Sequence, residues 1–246
     1  MPGYDFHSPR LYVDASLAAG TSVPLEAGQS HYLLNVLRLK AGDRVLVFNG
    51  RDGEWSATLT GTKRAAALAV GARTRAQTVA ADMHYLFGPL KSARLDYMVQ
   101  KAVEMGVSRL VPVMTRHGQV GRVNAERMRK NAIEAAEQCG VLVLPDIAPP
   151  VPLDRYLGER ELGRYLVFCD EAAEVSDPVA ALGAVAPRSP LAVLIGPEGG
   201  FAEDERATLL RQPNVVRLAL GPRILRADTA AVAVLTLVQA VLGDWR

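Results

Sequence analysis

Two cysteines in 246 residues, Cys139 and Cys169, lack both the density of a disulfide scaffold and the spacing of metal ligands, so both are expected as free thiols. His31 and His117 have no recognisable ligand partner either, and no metal site is expected. Long apolar runs are missing: each is broken by charge, Gly or Pro before it reaches membrane-spanning length. The first residues, Met1-Pro-Gly-Tyr-Asp-Phe-His7, do not read as a secretory signal, and a cytoplasmic protein with no membrane partner is expected. Net charge is nearly absent at +2, too little to argue for nucleic acid by itself. Two nucleotide signatures are absent as well. Without GxxxxGK[ST], nothing supplies the Lys and hydroxyl that hold phosphates and magnesium, and the lack of GxGxxG weakens a dinucleotide reading.

What the chain does have is apolar residues, 49% of the total, enough to bury a full core in one large or two modest domains. Its charge is also uneven. Through Arg75, nine basic residues, Lys63 and Arg64 among them, stand against six acidic ones, a bias that would help a small module follow a phosphate backbone. In that region Arg44–Phe48 and Glu54–Thr60 flank Asn49-Gly50 and Asp52-Gly53 and read as a hairpin. A third strand is expected over Ala65–Val70, and Tyr32, Leu33, Val36 and Leu37 mark a helix. A small β-barrel with one helix fits, followed by a polar, alanine-rich linker from Arg73 to Asp82.

The pattern then alternates. Strands are expected at Met83–Phe87, Arg109–Val113, Tyr165–Cys169, Leu191–Ile195 and Asn214–Leu220. Between them lie a helix with Leu95, Met98, Val99, Ala102 and Val103 on one face, a second over Ala125–Gln138, and a third opening at Phe201. Alternating β and α elements imply a parallel sheet with helices on its faces. Asp228 or Thr229 can cap the last helix, whose residues Ala230–Leu242 are apolar almost all round and so need cover on more than one side, by the helix's own sheet and a second subunit, with simple burial the alternative.

Two turns carry the chemistry. Leu194-Ile-Gly-Pro-Glu-Gly-Gly-Phe201 and Leu218-Ala-Leu-Gly-Pro-Arg-Ile-Leu-Arg226 each follow a strand, and the crevice beyond strand carboxyl ends is where ligands bind in such sheets. Their glycines let a ligand approach the backbone. A guanidinium at the crevice mouth, Arg226, could bind phosphate or stabilise negative charge on a reacting base; an ion pair with Asp228 is the alternative.

These two runs, with Thr229-Ala230 after them, resemble the ribosomal RNA small-subunit methyltransferase E family. Further matches are Gln100-Lys-Ala-Val-Glu-Met-Gly-Val107, Glu134-Ala-Ala-Glu-Gln-Cys-Gly140 and His31-Tyr-Leu-Leu-Asn-Val-Leu-Arg38, so the likeness covers nearly the whole chain. The resemblance implies an N-terminal PUA-like RNA-binding barrel (1–74), a linker (75–82) and a C-terminal SPOUT domain (83–246), a parallel α/β fold threaded into a trefoil knot. It also implies a homodimer, a 16S rRNA or 30S-subunit partner, and methylation of N3 of a uridine near the 3′ end of that RNA, position 1498 in RNA numbering. The methyl donor would be S-adenosyl-L-methionine. Its pocket would use Leu194, Ile195, Gly196, Gly199 and Gly200 from the first run, and Leu218, Leu220, Gly221, Ile224 and Leu225 from the second.

Uracil N3 carries a proton near neutrality and is blocked in a duplex, so the base must be exposed or flipped and its proton helped away. Arg226 is the expected catalytic cation beside O2 or O4. Glu198 or Asp228 would position the base or accept the proton. Arg10, Arg38, Lys91 and Lys101 are candidate RNA phosphate contacts. Two departures stand out: Ala227-Asp228 replaces a hydroxyl residue and Glu, and Val141-Leu-Val-Leu144 replaces an Arg and a polar stretch. A non-catalytic RNA-binding assembly factor, or a SPOUT enzyme acting on another RNA, are the alternatives.

Overall fold

The computed structural model describes residues 5, 7–62, 65–119, 121–174 and 177–245. Part of the opening segment and two of the basic residues counted above, Lys63 and Arg64, lie outside the described residues. The chain divides into two units, 1–79 with 136–143, and 80–135 with 144–246.

The first unit comprises β1 (Arg10–Tyr12), β2 (Ser22–Pro24), α1 (Ala27–His31) running into a π-helical turn (Tyr32–Val36), β3 (Arg44–Phe48), β4 (Glu54–Thr62) and β5 (Ala65–Arg75). They form one sheet in the order β1-β3-β4-β5-β2, antiparallel except for β1 on β3. Along β5 Ala66, Leu68 and Val70 are buried at every second position, so one face of the strand enters a core with Leu11, Leu33, Val45, Val47 and Leu59. The β3–β4 hairpin forms as expected. Asn49 fixes its turn by accepting the N–H groups of Arg51 and Asp52 at 3.0 and 2.9 Å. β5 runs on to Arg75, which pairs with Glu54, so the first residues of the anticipated linker are strand.

The second unit contains β6 (Met83–Phe87), α2 (Ser92–Glu104), β7 (Arg109–Met114), α3 (Ala125–Cys139, its last turn in the first unit), β8 (Asp146–Ile147), β9 (Val151–Pro152) and α4 (Leu153–Glu159). After these come β10 (Tyr165–Cys169), α5 (Pro178–Gly183), β11 (Leu191–Ile195), α6 (Glu203–Leu210), β12 (Val215–Leu218) and α7 (Ala227–Val241). The strand order is β12-β10-β11-β6-β7-β8, with β9 on β7, and every pairing is parallel. All five residues of β11 are buried, as a strand covered on both faces requires.

The anticipated stripe of α2, Leu95, Met98, Val99, Ala102 and Val103, is the buried one. The start of α7 differs from expectation. Arg226 holds the cap position in extended backbone, without a side-chain capping bond, and Asp228 lies inside the first turn. A carboxylate there still favours the helix dipole, so the acid is retained without capping. Among the described residues no helix is long and apolar enough to cross a membrane, and no group of three or more His, Cys, Asp or Glu could hold a metal.

Candidate functional site

Strand order explains the site. β10 lies between β11 and β12, so the loops leaving the carboxyl ends of the two outer strands face each other across the end of β10. They wall a cavity of about 280 Å³. Ile195, Gly196, Pro197, Glu198, Gly200 and Phe201 line it from the β11 side, and Leu218 to Leu225 with Ala227 and Ala230 from the β12 side. The middle strand supplies a third wall, Cys169 to Ala173.

Packing shapes the first loop. A Cβ on Gly196 would lie 2.7 Å from the Phe201 ring, and one on Gly88 would lie 2.6 Å from the nitrogen of Pro197. Phe201 is itself held edge-on to Phe168, with centroids 5.3 Å apart. Gly200 has a φ of +67°, and a Cβ there would approach Glu171 Oε1 to 2.9 Å. In the second loop Gly221 has a φ of +93°, a region that glycine enters without steric cost.

The third wall is polar and charged. Asp170 is buried, and its carboxylate accepts Arg206 Nε at 2.9 Å, Arg217 Nε at 2.7 Å and the Ala172 N–H at 3.1 Å. Burial pushes its pKa up, but the Ala172 N–H and the two guanidiniums outweigh that and hold it below the usual carboxylate value. Arg206 is thereby fixed at the cavity edge. Burial pushes the Cys169 thiol up, which keeps it neutral and removes it as a nucleophile.

The expected donor-binding residues divide. Ile195, Gly196, Gly200, Leu218, Leu220, Gly221, Ile224 and Leu225 line the cavity. The Leu194 side chain instead packs into the core with Leu86, Leu166 and Phe168, and Gly199 turns toward His117, whose Nδ1 lies 3.0 Å from its carbonyl oxygen. Of the three expected catalytic groups Glu198 lines the cavity and pairs with Arg94 at 3.2 Å. Arg226 is exposed, and among the described residues no carboxylate pairs with it, so the alternative ion pair with Asp228 does not form. Asp228 instead accepts the Thr229 N–H at 3.0 Å.

The expected RNA contacts divide as well. Arg38 and Lys91 are exposed. Lys101 is held by Glu104 at 2.7 Å. Arg10 is buried against Glu54 at 3.1 Å, where its charge balances an internal carboxylate and is not presented to a bound phosphate. Asp170, Glu171 and Arg206 were missed in the sequence. The rule that drew attention to the ends of β11 and β12 applies equally to β10, but no glycine turn marks residue 170.

Comparison with known proteins places this fold and cavity among the RNA methyltransferases. The RNA methyltransferase domain family matches residues 77–239, and the RNA methyltransferase PUA domain family matches residues 25–70. The chain is 29% identical over 237 residues to the ribosomal RNA small subunit methyltransferase E of Rickettsia conorii, covering 96% of each chain. It is 25% identical over 218 residues to that of Bacillus subtilis, covering 84% of this chain and 85% of the other. Among solved structures, the Neisseria gonorrhoeae methyltransferase E bound to S-adenosyl methionine superposes with a TM-score of 0.85 at 26% identity, covering 98% of this chain and all of that one. A putative methyltransferase from Legionella pneumophila with bound cofactor SAM gives 0.83 at 26% identity, covering 95% and 98%. The chain belongs to this RNA methyltransferase family, that of the ribosomal RNA small subunit methyltransferase E proteins, with a PUA domain followed by a parallel α/β methyltransferase domain.

Proposed function

We propose that the protein methylates N3 of a uridine near the 3′ end of 16S rRNA, uridine 1498, with S-adenosyl-L-methionine as donor. The observation that carries this reading is the single cavity walled by the loops after β11 and β12. Its residues fit the donor. Gly196, Gly200 and Gly221 lie along the wall, with open space beside Gly221, Ile195, Leu218, Leu220 and Leu225 offer an apolar lining, and the volume is close to the lower end of small-molecule sites, roughly 300 Å³ upward. When bound, the donor supplies an electrophilic methyl group.

The chain's own residues do the rest. The glycine loops position donor and base for in-line approach, which supplies most of the advantage in such a transfer. The exposed guanidinium of Arg226 stabilises charge developing on uracil O2 or O4 as N3 loses its proton. Glu198, at the cavity wall, orients the base or accepts that proton, and Asp228 is the second carboxylate for this role. Leu194 and Gly199 support the loop from behind. Arg38 and Lys91 contact RNA phosphates, with residues 1–74 as the RNA-binding module, 75–82 as linker and 83–246 as the methyltransferase domain. A homodimer through the second domain completes the reading.

Calorimetry with S-adenosyl-L-methionine separates this enzyme from a non-catalytic assembly factor. Saturable donor binding is expected. A protein that binds 30S subunits but no donor would be the assembly factor.

A further inference from the structure

A second cavity, of about 300 Å³, lies at the opposite end of the same sheet. His84 and Arg109 stand at the starts of β6 and β7, and Arg164 immediately precedes β10, so this cavity opens where the strands begin. The methyl-donor cavity lies beyond their other ends. Five-residue strands separate the two by roughly 17 Å.

Arg160 is the unusual group in its wall. It is only 7% exposed, and its terminal nitrogens donate to the backbone carbonyls of Arg164 and Pro213, neither of them charged. Among the described residues its Nε has no hydrogen-bond partner and no carboxylate pairs with it. A buried guanidinium with neutral partners is costly, and an anion in the adjoining cavity would offset its uncompensated charge.

The surrounding charge favours an anion. Arg164 is also buried, its side chain 5% exposed; its terminal nitrogens donate to Asp82 at 2.7 and 3.0 Å, to Glu161 at 3.1 Å and to the Leu191 carbonyl at 3.2 Å, but the two carboxylates are 51% and 73% exposed and screened by water. Arg109 Nε is likewise buried and out of hydrogen-bonding alignment, although it lies 3.1 Å from the exposed Asp146. The lining also holds Glu159, paired with Arg155 at 2.8 Å, and Glu161; both acids are exposed, whereas Arg160 and Arg164 are buried. Tyr156, Pro149 and Pro150 add flat apolar surface beside the guanidiniums.

We infer that this cavity is a phosphoryl-binding site, separate from the methyl-transfer site, in which Arg160, joined by Arg164 as it leaves its exposed carboxylates, holds a phosphoryl group and Tyr156 packs against the group it is attached to. Planar guanidinium forks match phosphate oxygens, those of a terminal dianion and of a monoanionic backbone diester alike. The phosphate could come from a free nucleotide or from an RNA backbone.

The test is a titration of the full-length protein followed through the Arg160 Nε–H resonance, assigned by its loss in Arg160→Lys. The probes are inorganic phosphate, a nucleoside 5′-monophosphate, a short oligoribonucleotide and acetate, at ionic strength held constant with chloride. A saturable shift half-complete near or below about 1 mM is expected with a phosphate probe. Binding should be about tenfold weaker in Arg155→Glu, an exposed position on the cavity wall that gives up only a solvent-exposed ion pair with Glu159, with an unchanged circular dichroism spectrum as the control for folding. A response to phosphate and the monophosphate assigns a free phosphoryl ligand. A response confined to the oligoribonucleotide assigns the same pocket to RNA phosphate. No saturable shift with any phosphate probe, acetate binding as tightly as phosphate, or unchanged affinity in Arg155→Glu would overturn the inference.

Discussion

Gly196→Ala isolates the packing that shapes the donor cavity. Gly196 does not have a positive φ, so alanine adds no backbone strain there and its effect comes from one methyl group. That methyl would sit 2.7 Å from Phe201 Cε2 and 3.2 Å from Cδ2 and Cζ, against about 3.5–4.0 Å for a normal carbon contact. The ring cannot retreat freely, because it is packed edge-on against the buried Phe168. Overpacking of this kind costs about 1–3 kcal/mol. Tm should fall by roughly 3–10 °C, and displacement of the loop should weaken S-adenosyl-L-methionine binding about tenfold or more. Scanning calorimetry and titration calorimetry read the two effects. The decisive comparison adds Phe201→Leu. If the clash is the cause, the double variant recovers at least about 1 kcal/mol relative to the sum of the single changes. Additive losses, or a Gly196→Ala protein with wild-type Tm and affinity, would refute the reasoning.

Arg226→Ala should lower kcat by about 10²–10³-fold while leaving donor affinity nearly unchanged; loss of donor binding with preserved turnover at saturation would contradict its assigned role. Asp170→Ala strands the Arg206 and Arg217 guanidiniums. Because both are about one-third exposed and can rehydrate, the expected loss is about 2–3 kcal/mol in urea unfolding, below the 3–5 of a fully buried pair. His84 titrates near 4 in the fold, because burial and then Arg164 and Arg109 oppose its charge more than Asp82 and Glu161 favour it. Its ordinary value is 6.5, so between 6.5 and 4 the unfolded chain binds the extra proton and stability falls as pH falls through that window. The loss should be on the order of 2–3 kcal/mol, and His84→Gln should flatten that part of the stability profile.

The readable parts of the fold are those in which one periodicity acts locally. The stripe from Leu95 to Val103 repeats at helical spacing and is the face that α2 buries, and the apolar runs of β10 and β11 end where charge or glycine begins. Short elements between prolines were not legible. Around Pro149, Pro150 and Pro152 no periodicity develops, and β9 and α4 form there because Val151 pairs with β7 and Leu153 packs into the core. The cap of α7 was misread because Arg226 takes the extended cap conformation without a side-chain bond, which leaves no residue-type signal.

The site was legible on two sides out of three. Glycine turns mark the β11 and β12 loops, but the position of β10 between them depends on strand order, and local sequence does not encode it. Asp170 therefore became visible only with Arg206 and Arg217 gathered around it from elements about 36 and 47 residues away. The burial of Arg10 rests on an equally distant partner, Glu54, and a count of basic residues cannot distinguish such a cation from an exposed one.

The central claim is methyl transfer to one uracil nitrogen, and mapping the product tests it most directly. Purified protein is incubated with S-adenosyl-L-methionine labelled in its methyl group and with 30S subunits or naked 16S rRNA, and the modified nucleotide is located and digested to the nucleoside. 3-Methyluridine is expected at a single site near the 3′ end of 16S rRNA, and is lost in Arg226→Ala. Label at another nucleotide or atom, or no transfer to either substrate by a protein that binds the donor, would contradict it.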